Sequence, residues 1–158
     1  MSTSVSIKDI VEEMDMQMEE YLAFLNVNTG RIVSLFEEDL HTAEEEEPMD
    51  AMEGLQDWEK DVLKLAYDIV DHPMKYKQLP SKYEIHEYEM IEEFCLNIQD
   101  PDARENLLIL IKGRGAFRRF KDRINELGIE EEWYTFREEQ YRKIAVEWCE
   151  ANQLSYTE

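Results

Sequence analysis

The stretch YLAFLNVNTGRIVSLF, residues 21–36, decides the fold. Two runs rich in β-branched and aromatic residues, 21–27 and 31–36, flank Asn28-Thr29-Gly30, and this Asn and Gly tolerate the positive φ that hairpin turns require. The spacing therefore predicts an antiparallel β-hairpin. Leu22 and Phe24 lie on one face of the first strand and Tyr21, Ala23, Leu25 and Val27 on the other. With both faces apolar, the hairpin is expected to be covered on both sides. Two strands alone are marginal in water, so helices must pack over them, and a third short strand at 76–79 can extend the sheet.

Working outward, Ser6 and Asp9 have N-capping spacing, and Ile7, Ile10, Val11 and Met14 predict a helix over 7–16. From Trp58, the series Val62, Leu65, Ala66 and Ile69 marks an amphipathic helix that His72-Pro73 should stop. Ser81 and Glu84 have capping-box spacing, predicting a helix opened by Pro80-Ser81 with Ile85, Tyr88, Ile91, Cys95 and Ile98 in one stripe. Asp100-Pro101 starts another, running to about residue 111. Phe117, Phe120, Ile124 and Leu127 give the next apolar face, closed by Gly128. A last helix, beginning between Trp133 and Phe136 with Thr135 and Glu138 as its cap, is expected to bury Tyr141, Ile144, Trp148 and Ala151. Residues 37–53 contain four consecutive glutamates, Glu44 to Glu47, and few large apolar groups, the profile of an acidic mobile linker. The expected fold is α+β and mostly α-helical, with five to six helices and a small antiparallel β-hairpin near the N-terminus, in a single domain over 1–158. No internal repeat is present.

The 158 residues include 17 Lys or Arg and 38 Asp or Glu, a formal net charge of −21, which excludes a generally basic nucleic-acid coat. At 43% hydrophobic residues the chain can still build a core. No apolar run approaches the roughly 18 residues needed to cross a bilayer, and no secretory segment opens the chain, so a cytoplasmic location without membrane contact is expected. Cys95 and Cys149 sit in helical apolar patterns and read as reduced core thiols; a disulfide between them is not implied. His41, His72 and His86 lack metal-ligand spacing, the glutamate pairs and triplets read as solvated faces, and no cofactor or metal is implied.

One cluster breaks the acidic pattern. Six of the 17 basic residues, Lys112, Arg114, Arg118, Arg119, Lys121 and Arg123, fall within KGRGAFRRFKDR, residues 112–123. Gly113 and Gly115 ahead of a helix leave backbone N–H groups unobstructed and the helix dipole adds positive potential, so Gly113, Arg114, Gly115, Arg118 and Arg119 form an anion-binding candidate. The run lacks the Gly-Lys-Ser/Thr ending of a P-loop and the spacing of a dinucleotide fingerprint. The competing expectation is that these cations pair with carboxylates of the same molecule, leaving an acidic exterior to contact a partner. Phe117 and Phe120 fit a core stripe better than a base-stacking platform.

GRGAFRRFKD, then LGIEEEWYTFRE and AVEWCEAN, together with the early YLAFLNVNTGRIV, resemble a bacterial group, uncharacterised protein family 0158. The resemblance implies a small bacterial cytosolic protein and carries over no catalytic or binding residue. The expected function is that of a non-enzymatic interaction or regulatory protein acting by charge complementarity, with a basic protein as partner. The rivals are a nucleic-acid or nucleotide-binding module using residues 112–123, disfavoured by the net charge, and an enzyme assembled from dispersed residues such as Glu92, Arg114 and Tyr134.

Overall fold

A computed structural model describes residues 4–16, 18–81 and 84–158, which divide into two units, Met1–Glu84 with Ala145–Glu158, and Ile85–Ile144. In the first, β1 (Val5–Ser6) runs parallel to β5 (Tyr156–Thr157), Val5 opposite Tyr156. Ser6 Oγ accepts the Asp9 N–H at 3.2 Å and caps α1 (Ile7–Met16), whose Ile7, Ile10 and Met14 are buried as their spacing predicts.

The hairpin forms from β2 (Tyr21–Asn26) and β3 (Ile32–Phe36), with Leu22 opposite Leu35 and Phe24 opposite Val33. In the turn Asn26 Oδ1 accepts the Asn28 and Thr29 N–H groups at 3.0 and 3.3 Å. The third strand is also present: β4 (Tyr76–Gln78) pairs antiparallel on the other edge of β2, giving the order β3-β2-β4. Ala23, Phe24 and Leu25 are consecutive and all buried, so both faces of β2 are covered.

The acidic stretch 37–53 departs from expectation. It carries α2 (Glu37–Glu45) and α3 (Pro48–Ala51) instead of an unstructured linker. Glu37, Glu38 and Asp39 sit in the first turn of α2, where carboxylates complement the helix dipole. Ala43 enters the core of Phe24, Leu35, Leu63, Ala66, Tyr67, Ile69 and Tyr76, with Leu40, Ala51 and Met52 packed against it. A few well-spaced apolar groups thus outweigh the acidic composition, and Tyr67 O–H ties the segment down by donating to the Glu46 carbonyl at 2.7 Å.

Helix α4 (Asp57–Asp71) starts at a reciprocal cap between Gln56 and Glu59 and stops at His72, before Pro73. On its last turns Asp68 Oδ2 accepts from Lys75 Nζ at 2.8 Å and from Tyr76 O–H at 2.5 Å, joining α4 to β4.

The second unit comprises α5 (Glu87–Leu96), α6 (Pro101–Leu110), α7 (Ala116–Leu127) and the first part of α8 (Glu130–Ala151). The Ser81 and Glu84 pair closes only a turn, the Glu84 N–H donating to the Ser81 carbonyl at 3.0 Å, and the helix waits until Glu87. His86, at φ −91° and ψ 77°, breaks it off while the preceding Ile85 is buried. Asp100 Oδ1 caps α6 by accepting the Asp102 N–H at 3.2 Å, with Pro101 in the first turn. Gly128, at φ 70°, ends α7 and lets the Ile129 N–H reach the Ile124 carbonyl at 2.9 Å.

The unit's core is aromatic. Trp133, 2% exposed, packs edge-on against Phe120 and Phe94 at 4.9 and 5.4 Å between ring centroids. α8 begins at Glu130, earlier than the Trp133–Phe136 start expected, because Glu130, Glu131 and Glu132 suit its N-terminal turn; Thr135 and Glu138 then fall inside the helix. Its buried positions are Trp133, Tyr141, Ala145 and Cys149; Ile144 and Trp148 are half-buried and Ala151 is exposed. The described residues hold eight helices, more than the five to six expected, within a helix-dominated α+β fold. Cys95 and Cys149 are buried and free, and burial first, then a neighbouring glutamate, pushes each thiol up to about 11. No helix among the described residues is long and apolar enough to cross a membrane.

A candidate cationic site at the α6–α7 turn

Between α6 and α7 the chain turns in five residues, with Gly113 and Gly115 at φ 81° and 76°. An L-residue adopts that region only with strain, so the close passage from one helix to the next depends on these two positions. Gly115 is also the N-cap of α7, and a Cβ there would lie 3.0 Å from Arg119 Nη1.

That contact shows where Arg119 has gone. Its Nε donates to the Leu110 carbonyl at 2.9 Å, Nη2 to the Lys112 carbonyl at 2.7 Å and Nη1 to the Arg114 carbonyl. The guanidinium spans the C-terminal end of α6 and the turn, satisfying carbonyls that the helix leaves without partners. Arg119 is therefore a clamp that holds the turn, and three of its donors are taken. Arg123 is also engaged, with Glu126 at 2.8 Å and Asn106 Oδ1 at 3.0 Å.

The other four cations are arranged differently. Lys112, Arg114, Arg118 and Lys121 are exposed, and among the described residues their side chains make no hydrogen bond and no ion pair. The expectation that carboxylates of the same molecule neutralise this segment holds only for Arg123. The physical reason is local: the acceptors that Arg119 reaches are backbone carbonyls at a helix end and in the turn, Arg114 lies exposed in that turn, and Phe117, Arg118 and Lys121 occupy exposed positions of α7.

Phe117 is the second correction. Phe120 and Ile124 are buried, but Phe117 is 45% exposed and Leu127 is also exposed; the stripe that enters the core is Ala116, Phe120 and Ile124. The Phe117 ring meets Tyr88 edge-on at 6.4 Å, and Tyr88 O–H is anchored on the Ile111 carbonyl at 2.8 Å. The result is an exposed aromatic side chain braced by Tyr88, with the unpaired Arg118 next to it in the chain and the unpaired Lys121 one helical turn on. The exposure of Phe117 is not legible in the sequence, because a phenylalanine three residues from a core phenylalanine satisfies the same helical spacing.

The dispersed set Glu92, Arg114 and Tyr134 is exposed at all three positions, and its members make no hydrogen bond or ion pair with one another. A cleft of about 440 Å³ in the first unit holds Asp39, whose carboxyl burial and Glu38 push above its ordinary value, but no arginine or lysine lines it. Among the described residues no three of His, Cys, Asp and Glu gather as a metal-ligand cluster. No curated protein and no solved structure matches the chain. The model of one family, uncharacterised protein family UPF0158, matches residues 5–158, essentially the whole chain, and the chain belongs to that family.

Proposed function

We propose that this protein is a non-enzymatic interaction protein of the cytoplasm, acting by charge complementarity through the cationic face around Phe117. The single observation behind this reading is that four cations in a chain of net charge −21 stay exposed without a carboxylate partner. Contact surfaces combine a central aromatic anchor with arginine in this way, and charge around the anchor sets orientation and encounter rate. The reading keeps charge complementarity from the sequence analysis but reverses its polarity, with the cationic face in contact and the acidic remainder maintaining solubility.

Binding of single-stranded nucleic acid is the second reading, favoured by exposed Phe117 beside Arg118, since base stacking on an aromatic ring next to arginine is the common device of such surfaces. Four phosphate contacts would give a salt slope no steeper than about −3. The test is native purification of the tagged wild type and of the Arg118→Glu, Lys121→Glu double variant, with co-eluting protein identified by mass spectrometry and nucleic acid by absorbance ratio. An acidic partner lost from the double variant supports the first reading, and nucleic acid lost from it supports the second. Retention of every partner by a folded double variant overturns both.

A further inference from the structure

A groove of about 960 Å³ lies in the same unit, lined by the apolar Phe94, Ile98, Ile129 and Phe136 and by the carboxylates of Glu131 and Glu132. Both glutamates are exposed and, among the described residues, enter no ion pair. Glu139 adds a third carboxylate, held only loosely by Arg142 at 3.6 Å. The dipole of α8 explains why glutamates suit this position, and both stay exposed beside the apolar groups that line the groove. A ligand that fits must be apolar at its tip and cationic around it.

Such a tip is present on this chain. Phe117, exposed in the same helix as the exposed Arg118 and Lys121 and just after the exposed Arg114 of the turn, has the inverse pattern of the groove: an aromatic group against apolar lining, cations against carboxylates. We infer that the groove receives the Phe117 face of a second copy of this chain. This rests on the reading that the cationic face is the contact surface, and it names the acidic partner as another copy. Face and groove are different patches, so the contact is heterologous and propagates head to tail unless the rotation closes a ring. At about 0.15 M salt the Debye length of about 8 Å screens the net repulsion between copies while leaving ion pairs in contact effective.

Sedimentation velocity of the full chain over a concentration series at that ionic strength tests it. The wild type is expected to gain mass with concentration. Arg118→Glu with Lys121→Glu, and separately Glu131→Lys with Glu132→Lys, should each raise the dissociation constant at least about tenfold, because like charges then oppose each other at the interface. All four positions are exposed, so circular dichroism should confirm that both variants stay folded. Mixing the two variants should restore association, since each reversed face then meets a complementary one. A wild type that stays monomeric throughout, or association unchanged in both variants, overturns the inference. A monomeric wild type whose native partner is still lost on Arg118→Glu, Lys121→Glu leaves the proposed function standing and removes only the second copy as partner.

Discussion

Arg118 and Arg119 are neighbours of one residue type with opposite structural roles, and their substitution by methionine separates those roles. Methionine keeps most of the apolar stem and removes the guanidinium. At position 119 it deletes three charge-assisted hydrogen bonds, to the carbonyls of Leu110, Lys112 and Arg114. The Leu110 bond is partly shielded from water and counts most; for the two exposed carbonyls, water replaces much of what is lost. Taking about 1–1.5 kcal/mol for the shielded bond and a few tenths for each exposed one, and adding about 0.3–1 kcal/mol for a cation at the C-terminal end of α6, Arg119→Met should cost about 2 kcal/mol. For a chain of this length that is a fall in Tm of about 4–8 °C. Arg118→Met, at an exposed side chain with no partner, should stay within about 0.5 kcal/mol of wild type. Urea denaturation and calorimetry of both variants decide the matter. An Arg119→Met protein as stable as Arg118→Met would refute the clamp and with it the assignment of the turn's conformation to that guanidinium.

Asp68 gives a pH test. Hydrogen bonds from Lys75 first, and Tyr76 second, hold its carboxyl below the ordinary 3.8. A depressed carboxyl contributes stability above the ordinary value and loses it as pH falls through the folded value, so the deficit of Asp68→Asn, about 1 kcal/mol near neutrality, should shrink as pH falls below the ordinary 3.8 toward the lowered folded value; a pH-independent deficit refutes the ionic account. Trp133→Ala should cost about 3–5 kcal/mol in denaturant unfolding, as expected for an aromatic removed from a packed core, and a loss under 1 kcal/mol would mean that the ring is not central to its unit. Cys95 and Cys149, buried and raised to about 11, should react with a thiol reagent at neutral pH only on unfolding, and fast labelling of the native protein contradicts their burial. The single-domain expectation is a statement about cooperativity: tryptophan fluorescence and circular dichroism should give coincident urea transitions, and separated midpoints would show two domains.

What could be read from the sequence was what neighbouring residues settle among themselves. The hairpin around Asn28-Thr29-Gly30, the caps at Ser6 and Asp100 and the stop at Gly128 each depend on groups within a few positions, and each forms as its spacing requires. The cationic segment was legible for the same reason, since charge and glycine placement are local. Its outcome was not. Whether Phe117 or Ala116 faces the core depends on which side of α7 the rest of the unit covers, and two apolar residues adjacent in helical register cannot signal that themselves. The same holds for residues 37–53, whose helices are stabilised by a core contributed largely from elsewhere in the chain. It holds also for β1 and β5, a pair of two-residue strands joined from opposite ends of the sequence. Tertiary structure alone decided which cation is bound and which is free: Arg119 reaches three carbonyls because α6 ends beside it, and Arg118, one position earlier, is exposed with no side-chain partner among the described residues.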